Sequence, residues 1–220
     1  HGSYWSAAPA SRAGESGIFL RKETMEQPDQ RKKLIEAGIE LIAAKGYTGT
    51  SIRDIAAAHG TSISNIYHYF GSKDGLLAAI LQHLSQELLD GLRRAHDEPG
   101  EPLDGLKKIV DSHLVLSVEH RNGAKIFLLD AEHFSPESNK LSRGIQLEIL
   151  ALYVDQLNRV QKAGLVFDRD LKIMAFNILA CINWQLRWFK PGGALSAEEV
   201  RREIWRFIVG GVLEISEPAR

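Results

Sequence analysis

The sequence predicts an all-α fold of nine helices, on three observations. Apolar residues recur at helical spacing along most of the chain, while period-two alternation never persists and β-branched runs stay short. The punctuation is that of helices, with Ser, Asp or Pro ahead of the apolar runs and Gly or Pro behind them. A hydrophobic content of 44% in 220 residues is ample for a core, whether of one large domain or of a small domain joined to a bigger one.

His1 to Thr24, rich in Ser, Ala and Gly and lacking the apolar run of a signal peptide, is expected to be a disordered or appended lead, with Met25 as a natural start. The first helix is expected after Pro28, with Asp29 as cap, and ends near Lys45-Gly46. Leu34, Ala37, Gly38, Leu41 and Ile42 form its buried stripe. A second helix follows Thr50 or Ser51, where Ser51 and Asp54 have capping-box spacing, and Gly60 ends the turn after it. The third runs from about Ser62 to Phe70. The fourth opens at Ser72 and carries Leu76, Leu77, Ile80, Leu81, Leu84, Leu88 and Leu92 up to the breaker Glu98-Pro99-Gly100, long enough to tie the first module to the rest. Five more helices are expected over Leu103–Glu119, Asn122–His133, Glu137–Lys162, Asp168–Phe189 and Ala197–Ile215. Ser135-Pro136, Gly164, Pro191-Gly192-Gly193 and the box Ser196/Glu199 punctuate them.

Charge and composition narrow the function. A formal net charge of -1 argues against a protein that coats nucleic acid indiscriminately, but not against a specific binder, whose affinity depends on where its cations sit. The single Cys181 allows neither an intramolecular disulfide nor a multi-cysteine zinc site, and a reduced, cytoplasmic setting is expected. The most apolar long segment, Leu171 to Phe189, is interrupted by Lys172, Asn177, Asn183, Gln185 and Arg187, which suits a buried helix better than a bilayer.

Helices two and three have the layout of a helix-turn-helix, whose second helix lies in the DNA major groove. At 100° per residue, Thr61, Asn65 and His68 share one side of helix three with Ser64 beside them, while Ile63, Ile66, Tyr67 and Phe70 cluster opposite. Asn can bond adenine bidentately, and Ser and Thr can bond several base edges. Thr50, Ser51, Tyr67 and Lys73 are donors suited to phosphates, which fix register rather than sequence. The helix starts at Ser51 and Ser62 also aim free N–H groups at phosphate oxygens. Read alone, helix three fits an ordinary solvated surface equally well.

The block Gly46-Tyr47, Thr50-Ser51-Ile52, Asp54-Ile55-Ala56, Gly60, Ser62, Ile66-Tyr67-His68-Tyr69-Phe70 and Ser72-Lys73-Asp74 resembles the N-terminal domain of TetR-family transcription regulators, without a gap from Arg31 to Leu76. Two positions depart from the family pattern: Thr61 stands where Val is frequent, and Ile63 where Lys or another polar residue is frequent. An exposed Ile63 would offer a thymine-methyl contact instead of a charge. The resemblance also implies that Arg53 contacts backbone or base. It implies a DNA-binding domain over residues 25–73 and a ligand-binding and dimerisation domain over 74–220.

The same resemblance implies a homodimer on a pseudo-palindromic double-stranded operator, paired through the last two helices, with a small-molecule effector that alters the separation of the recognition helices. Trp184, Trp188, Phe189, Trp205 and Phe207 lie on those helices, and aromatics are enriched at interfaces. Asn183 to Ser196 is similar to the C-terminal signature of TetR-like regulators of fatty-acid, phenylacetate and steroid-ring catabolism, whose effectors are often acyl-CoA thioesters. Asn177, Trp184 and Trp188 share a face, and an indole can stack on adenine or line an acyl tunnel while Arg187 or Lys190 meets phosphates. The other reading makes the tryptophans dimer anchors and Arg187 a solvated rim charge. Phe127, His133, Tyr153, Asn177, Trp184, Arg187 and Trp188 are the residues expected at the effector; no cofactor is expected beyond an effector of this kind, no metal and no membrane.

Other constellations weigh less. Asp130 and His133, with Glu132 between, have a spacing that binds metal only with ligands from elsewhere, and suit a helix end or pocket wall better. His113 and His120, at i and i+7, are core or pocket histidines by default. The sequence shows no phosphate loop, nucleophile elbow or His-Glu-x-x-His motif, so an enzyme such as a helical thioesterase is the weaker alternative. A DNA-binding regulator without an effector is the other; a buried cavity of several hundred Å³ would speak against it.

Overall fold

The computed structural model describes residues 16–129 and 131–215. Among them are nine α-helices and no strand: α1 (Ser16–Lys45), α2 (Ile52–His59), α3 (Ile63–Phe70), α4 (Lys73–Asp97), α5 (Pro102–Glu119), α6 (Arg121–Leu129), α7 (Pro136–Lys162), α8 (Leu171–Trp188) and α9 (Ala197–Phe207). A 3-10 turn (Ala131–His133) follows α6, and a π turn (Ile208–Val212) follows α9. No helix among the described residues is long and apolar enough to cross a membrane.

Serines set most of the starts. The side chains of Ser51, Ser62, Ser72, Ser135 and Ser196 accept the N–H of Asp54, Asn65, Gly75, Ser138 and Glu199 respectively. Each such cap stabilises its helix by about 1 kcal/mol. Both expected capping boxes close, with Asp54 and Glu199 returning a carboxylate to the serine N–H. Gly164, at φ 74°, ends α7 in a left-handed conformation that costs a side-chain-bearing residue more.

Four boundaries depart from expectation, one being the helix expected over Asn122–His133, which is α-helical only to Leu129 and is followed by the 3-10 turn. The helix α1 runs from Ser16 through Pro28, so Asp29 does not cap it. Its carboxylate instead takes the Lys33 ammonium one turn on, at 2.5 Å. The part of the expected lead before Ser16 lies outside the described residues. Helix α8 starts at Leu171 because Asp170, not Asp168, accepts the N–H groups of Lys172 and Ile173. The helix expected to reach Ile215 is α-helical only to Phe207, then widens into the π turn.

Two apolar cores are joined by α4. The first gathers Leu34, Ile35, Ile42, Ile55 and Ile66 of α1–α3 around Leu76, Leu77, Ile80 and Leu81 of α4, and takes in Ile126 and Phe134 from beyond it. The second packs Leu89 and Leu92 of α4 with α5, α7, α8 and the π turn. Helices α1 and α4 approach closely at Gly38, where a Cβ would come within 2.9 Å of Ile80 Cδ1. The expected α1 stripe holds at Leu34, Gly38 and Ile42 and gains Ile35, while Ala37 and Leu41 are only half-buried.

Candidate nucleic-acid interface and effector cavity

The turn between α2 and α3 is a glycine-terminated helix end. Gly60 takes φ 68°, and the Thr61 N–H reaches back to the Ala56 carbonyl at 2.9 Å. Ile66 is fully buried behind α3, with Tyr69 and Phe70 half-buried beside it. The Arg31 guanidinium of α1 lies 5.4 Å from the Phe70 ring centre. This anchoring fixes which side of α3 faces out.

That side differs from the one the wheel assigns. Ile63 and Tyr67, expected inward, are 40% and 50% exposed, and with Ser64 and His68 they form the outward face. A two-turn helix needs only Ile66 and the flanks of Tyr69 and Phe70 to hold it, so the other apolar side chains are not drawn in. Thr61 and Asn65 sit half-buried at the edge, where Asn65 Nδ2 donates to Thr61 Oγ1 at 2.9 Å. Ser51, Arg53 and Ser62 are exposed, but the serine oxygens are also engaged in capping. In the first of these caps, the Ser51 hydroxyl and N–H hold the Asp54 carboxyl below its usual range.

Two expected phosphate donors face inward. Thr50 is 2% exposed, and its Oγ1 donates to the Gly46 carbonyl at 2.9 Å, bracing the turn after α1. Lys73 Nζ donates to the Tyr47 carbonyl at 2.5 Å, above the Tyr47 ring, and burial lowers its pKa. Tyr47 OH in turn donates to Asp74 Oδ1 at 2.7 Å. Burial and this bond push the phenol pKa up. Tyr47 also meets Phe134 edge-on, with ring centres 6.0 Å apart. The small polar residues of this region thus divide into an outward set and a set that stitches α1, α4 and the start of α7 together.

Below the helix-turn-helix unit, α4, α5, α6, α7 and α8 surround a cavity of about 470 Å³, within the range of small-molecule sites and partly open to solvent past the exposed His120, Leu128, Gln146 and Phe176. Leu84 and Leu88 of α4, Phe127 of α6, Ile149 of α7 and Leu179 of α8 give it an apolar wall. Its polar groups among the described residues are uncharged amides and hydroxyls plus His113 and His120; no Asp, Glu, Lys or Arg lines it. His113 Nδ1 lies 3.0 Å from the Tyr153 hydroxyl, and burial brings the imidazole pKa down to about 4. Beside the cavity, Arg121 Nη2 donates to the Leu186 carbonyl at 2.7 Å, while its buried Nη1 has no partner among the described residues.

Of the seven residues expected at the effector, Phe127 lines this cavity and Tyr153 stands behind its wall through His113. The rest lie elsewhere. Asn177, Trp184, Arg187 and Trp188 are exposed on the outer side of α8; Trp184 is 63% exposed, and Arg187 lies 5.6 Å from its ring centre. Asn177, Trp184 and Trp188 share a face as the spacing predicts, but neither they nor Arg187 are among the residues that line the cavity. His133 is exposed beside Glu132 at 3.5 Å, and Asp130 lies outside the described residues. Cys181 is half-buried, and burial raises its thiol pKa. Sequence reasoning missed Ser85, Ser117 and Gln146 as cavity residues. A polar stripe of His113, Ser117 and His120 on α5 was the available signal.

Comparison with known proteins agrees with this architecture. Residues 34–80 match the family described as bacterial regulatory proteins, tetR family, and residues 99–212 match the tetracyclin repressor-like C-terminal domain. The HTH-type transcriptional repressor KstR2 of Mycolicibacterium smegmatis is 26% identical over 206 residues, 89% of this chain and 97% of its own. The TetR-family regulator PfmR of Thermus thermophilus is 27% identical with a TM-score of 0.75, over 84% of this chain and 99% of its own. AibR, solved in complex with isovaleryl coenzyme A and operator DNA, shares the fold at a TM-score of 0.76 and 23% identity, over 84% and 99% of the two chains.

Proposed function

The chain belongs to the TetR family of bacterial regulatory proteins, and from that premise we propose that it is a repressor that binds a pseudo-palindromic operator as a homodimer and is released by an effector of the acyl-CoA type. The observation that carries this reading is the continuity of α4: its first turn is locked to the DNA-facing unit, and Leu84 and Leu88 farther along it wall the cavity. A ligand that fits only one placement of α4 biases the spacing of the two reading helices. The apolar lining suits an acyl body, and Arg121, with an unpaired buried N–H beside the cavity, suits an anionic carrier. KstR2 is named a transcriptional repressor, and AibR, alike in fold, holds an acyl-CoA and operator DNA.

The partner surface is the outer side of α8 and α9, where Ile173, Phe176, Trp184, Trp188 and Phe207 are exposed together. Apolar exposure on this scale marks an interface. Two aromatics counted with them, Phe189 and Trp205, turn inward instead. In this reading the chain carries no catalytic step and works in the cytoplasm, beside the chromosome. A mobility-shift assay on DNA flanking the chain's own gene, with a panel of acyl-CoAs, tests it. The expected result is a competitor-resistant shift that at least one thioester abolishes, and an Ala124→Trp variant with a filled cavity that still shifts DNA but no longer responds. A shift no stronger than on unrelated DNA would overturn the operator reading.

A further inference from the structure

The cavity holds one group that its apolar character does not explain. His113 is enclosed in α5 and forms part of the cavity wall, yet only its Nδ1 is satisfied, by the Tyr153 hydroxyl at 3.0 Å. Tyr153 is itself fully buried on α7, and this is its hydroxyl's one partner among the described residues. A phenol is a far stronger acid than a neutral imidazole N–H, so the phenol donates and Nδ1 accepts. That places the ring proton on Nε2, which makes no hydrogen bond among the described residues and is not one of their fully enclosed unpaired atoms, so it opens on the cavity that His113 lines. A ligand oxygen that meets this donor gains about 0.5–1.5 kcal/mol, the net worth of one hydrogen bond, over a ligand without one. A carboxylate or ammonium at His113 would meet no Asp, Glu, Lys or Arg among the described residues that line the cavity, so an uncharged oxygen suits this position better.

Resting on the effector reading above, we propose that the cavity selects an effector whose apolar body carries an uncharged acceptor oxygen, a ketone or hydroxyl, bonded to His113 Nε2–H, with Tyr153 as the positioning residue that fixes the tautomer. Ser117 on the same helix face is the neighbouring hydroxyl in the wall.

The probes are trans-2-decalone and trans-decalin, identical in shape except for the oxygen, each titrated below its solubility limit. Methyl NMR shifts of Leu84 and Ile149 report entry into the cavity, and the 15N shifts of His113 report its tautomer and contacts in the unmodified protein. The expected result is an Nε2–H tautomer in the free protein, entry of both probes, and a shift of Nε2 with decalone alone. Decalone binds roughly fivefold tighter, the worth of one net hydrogen bond. His113→Phe abolishes that preference while still admitting both probes. Entry of decalone without a change at Nε2, equal affinity of the two, or a proton on Nδ1 in the free protein overturns this proposal and leaves the cavity reading intact. Entry of neither probe overturns both.

Discussion

The Lys73 ammonium lies 4.1 Å from the centre of the Tyr47 ring and donates to the carbonyl of the same residue. One side chain at the start of α4 therefore closes the turn after α1, and Asp74 beside it takes the Tyr47 hydroxyl. A cation over an aromatic face and a charged hydrogen bond to a half-buried carbonyl are together worth about 1–3 kcal/mol. Lys73→Met is expected to lose about that much in urea denaturation while leaving the salt dependence of operator binding unchanged. A slope shallower by about one would assign Lys73 to a phosphate instead.

The outward face of α3 is Ile63, Ser64, Tyr67 and His68, and on the proposed operator reading these are expected to set sequence preference. Ser64→Ala and His68→Ala are expected to relax discrimination by about 1 kcal/mol at individual base pairs. Asn65→Ala removes the bond to Thr61 and is expected to act first on stability. Selection from a randomised operator library separates the two classes; an unchanged preference in the first pair would move the reading face elsewhere.

Thr50 is a structural hydroxyl. Thr50→Val keeps the shape but strands the Gly46 carbonyl, at a cost of about 1–2 kcal/mol. Denaturation midpoints measure the loss, and operator affinity of the folded fraction is expected to stay at the wild-type value.

His113 makes stability pH-dependent. Its folded pKa is about 4, against about 6.5 in the unfolded chain, so between these values only the unfolded chain takes up the proton. The contribution is complete above pH 6.5 and falls away as pH drops, by up to about 1.4 kcal/mol per unit. Denaturation of wild type and His113→Phe from pH 7 to 4.5 is expected to show a steeper decline in the wild type; parallel curves would contradict the burial of a neutral imidazole.

The exposed aromatic side of α8 is expected to be an interface. Trp184→Glu places a charge at its centre and is expected to shift the protein to monomer in sedimentation and to abolish operator binding, with the helical circular dichroism unchanged. A stable dimer carrying this substitution would locate the partner surface elsewhere.

The helices were legible because their signals are local. Five serine caps and the closing glycines are written within a turn of the boundary they set, and they appear where the residues predict. The facing of α3 was less legible, because Ile63 and Tyr67 carry apolar character that a short helix does not use. The cavity was least legible. Ser117 and Gln146 are polar residues that helical periodicity assigns to a surface or a helix contact, and only the gap left between α5, α7 and α8 makes them a lining. The tryptophans of α8 drew attention by their size, but their side of the helix is decided by Met174, Ile178 and Ile182 packing inward.

Because α4 is a single unbroken rod, it converts angle into distance. Leu84 lies about 16 Å along the axis from Lys73 at 1.5 Å per residue. A tilt of about 5° forced at Leu84 by an occupant carries the first turn sideways by about 1.4 Å over that length. With Gly38 letting α1 pack closely against Ile80 of α4, such a step would be passed on toward the reading helix. A guest too small to push Leu84 and Leu88 aside would therefore be held without being heard.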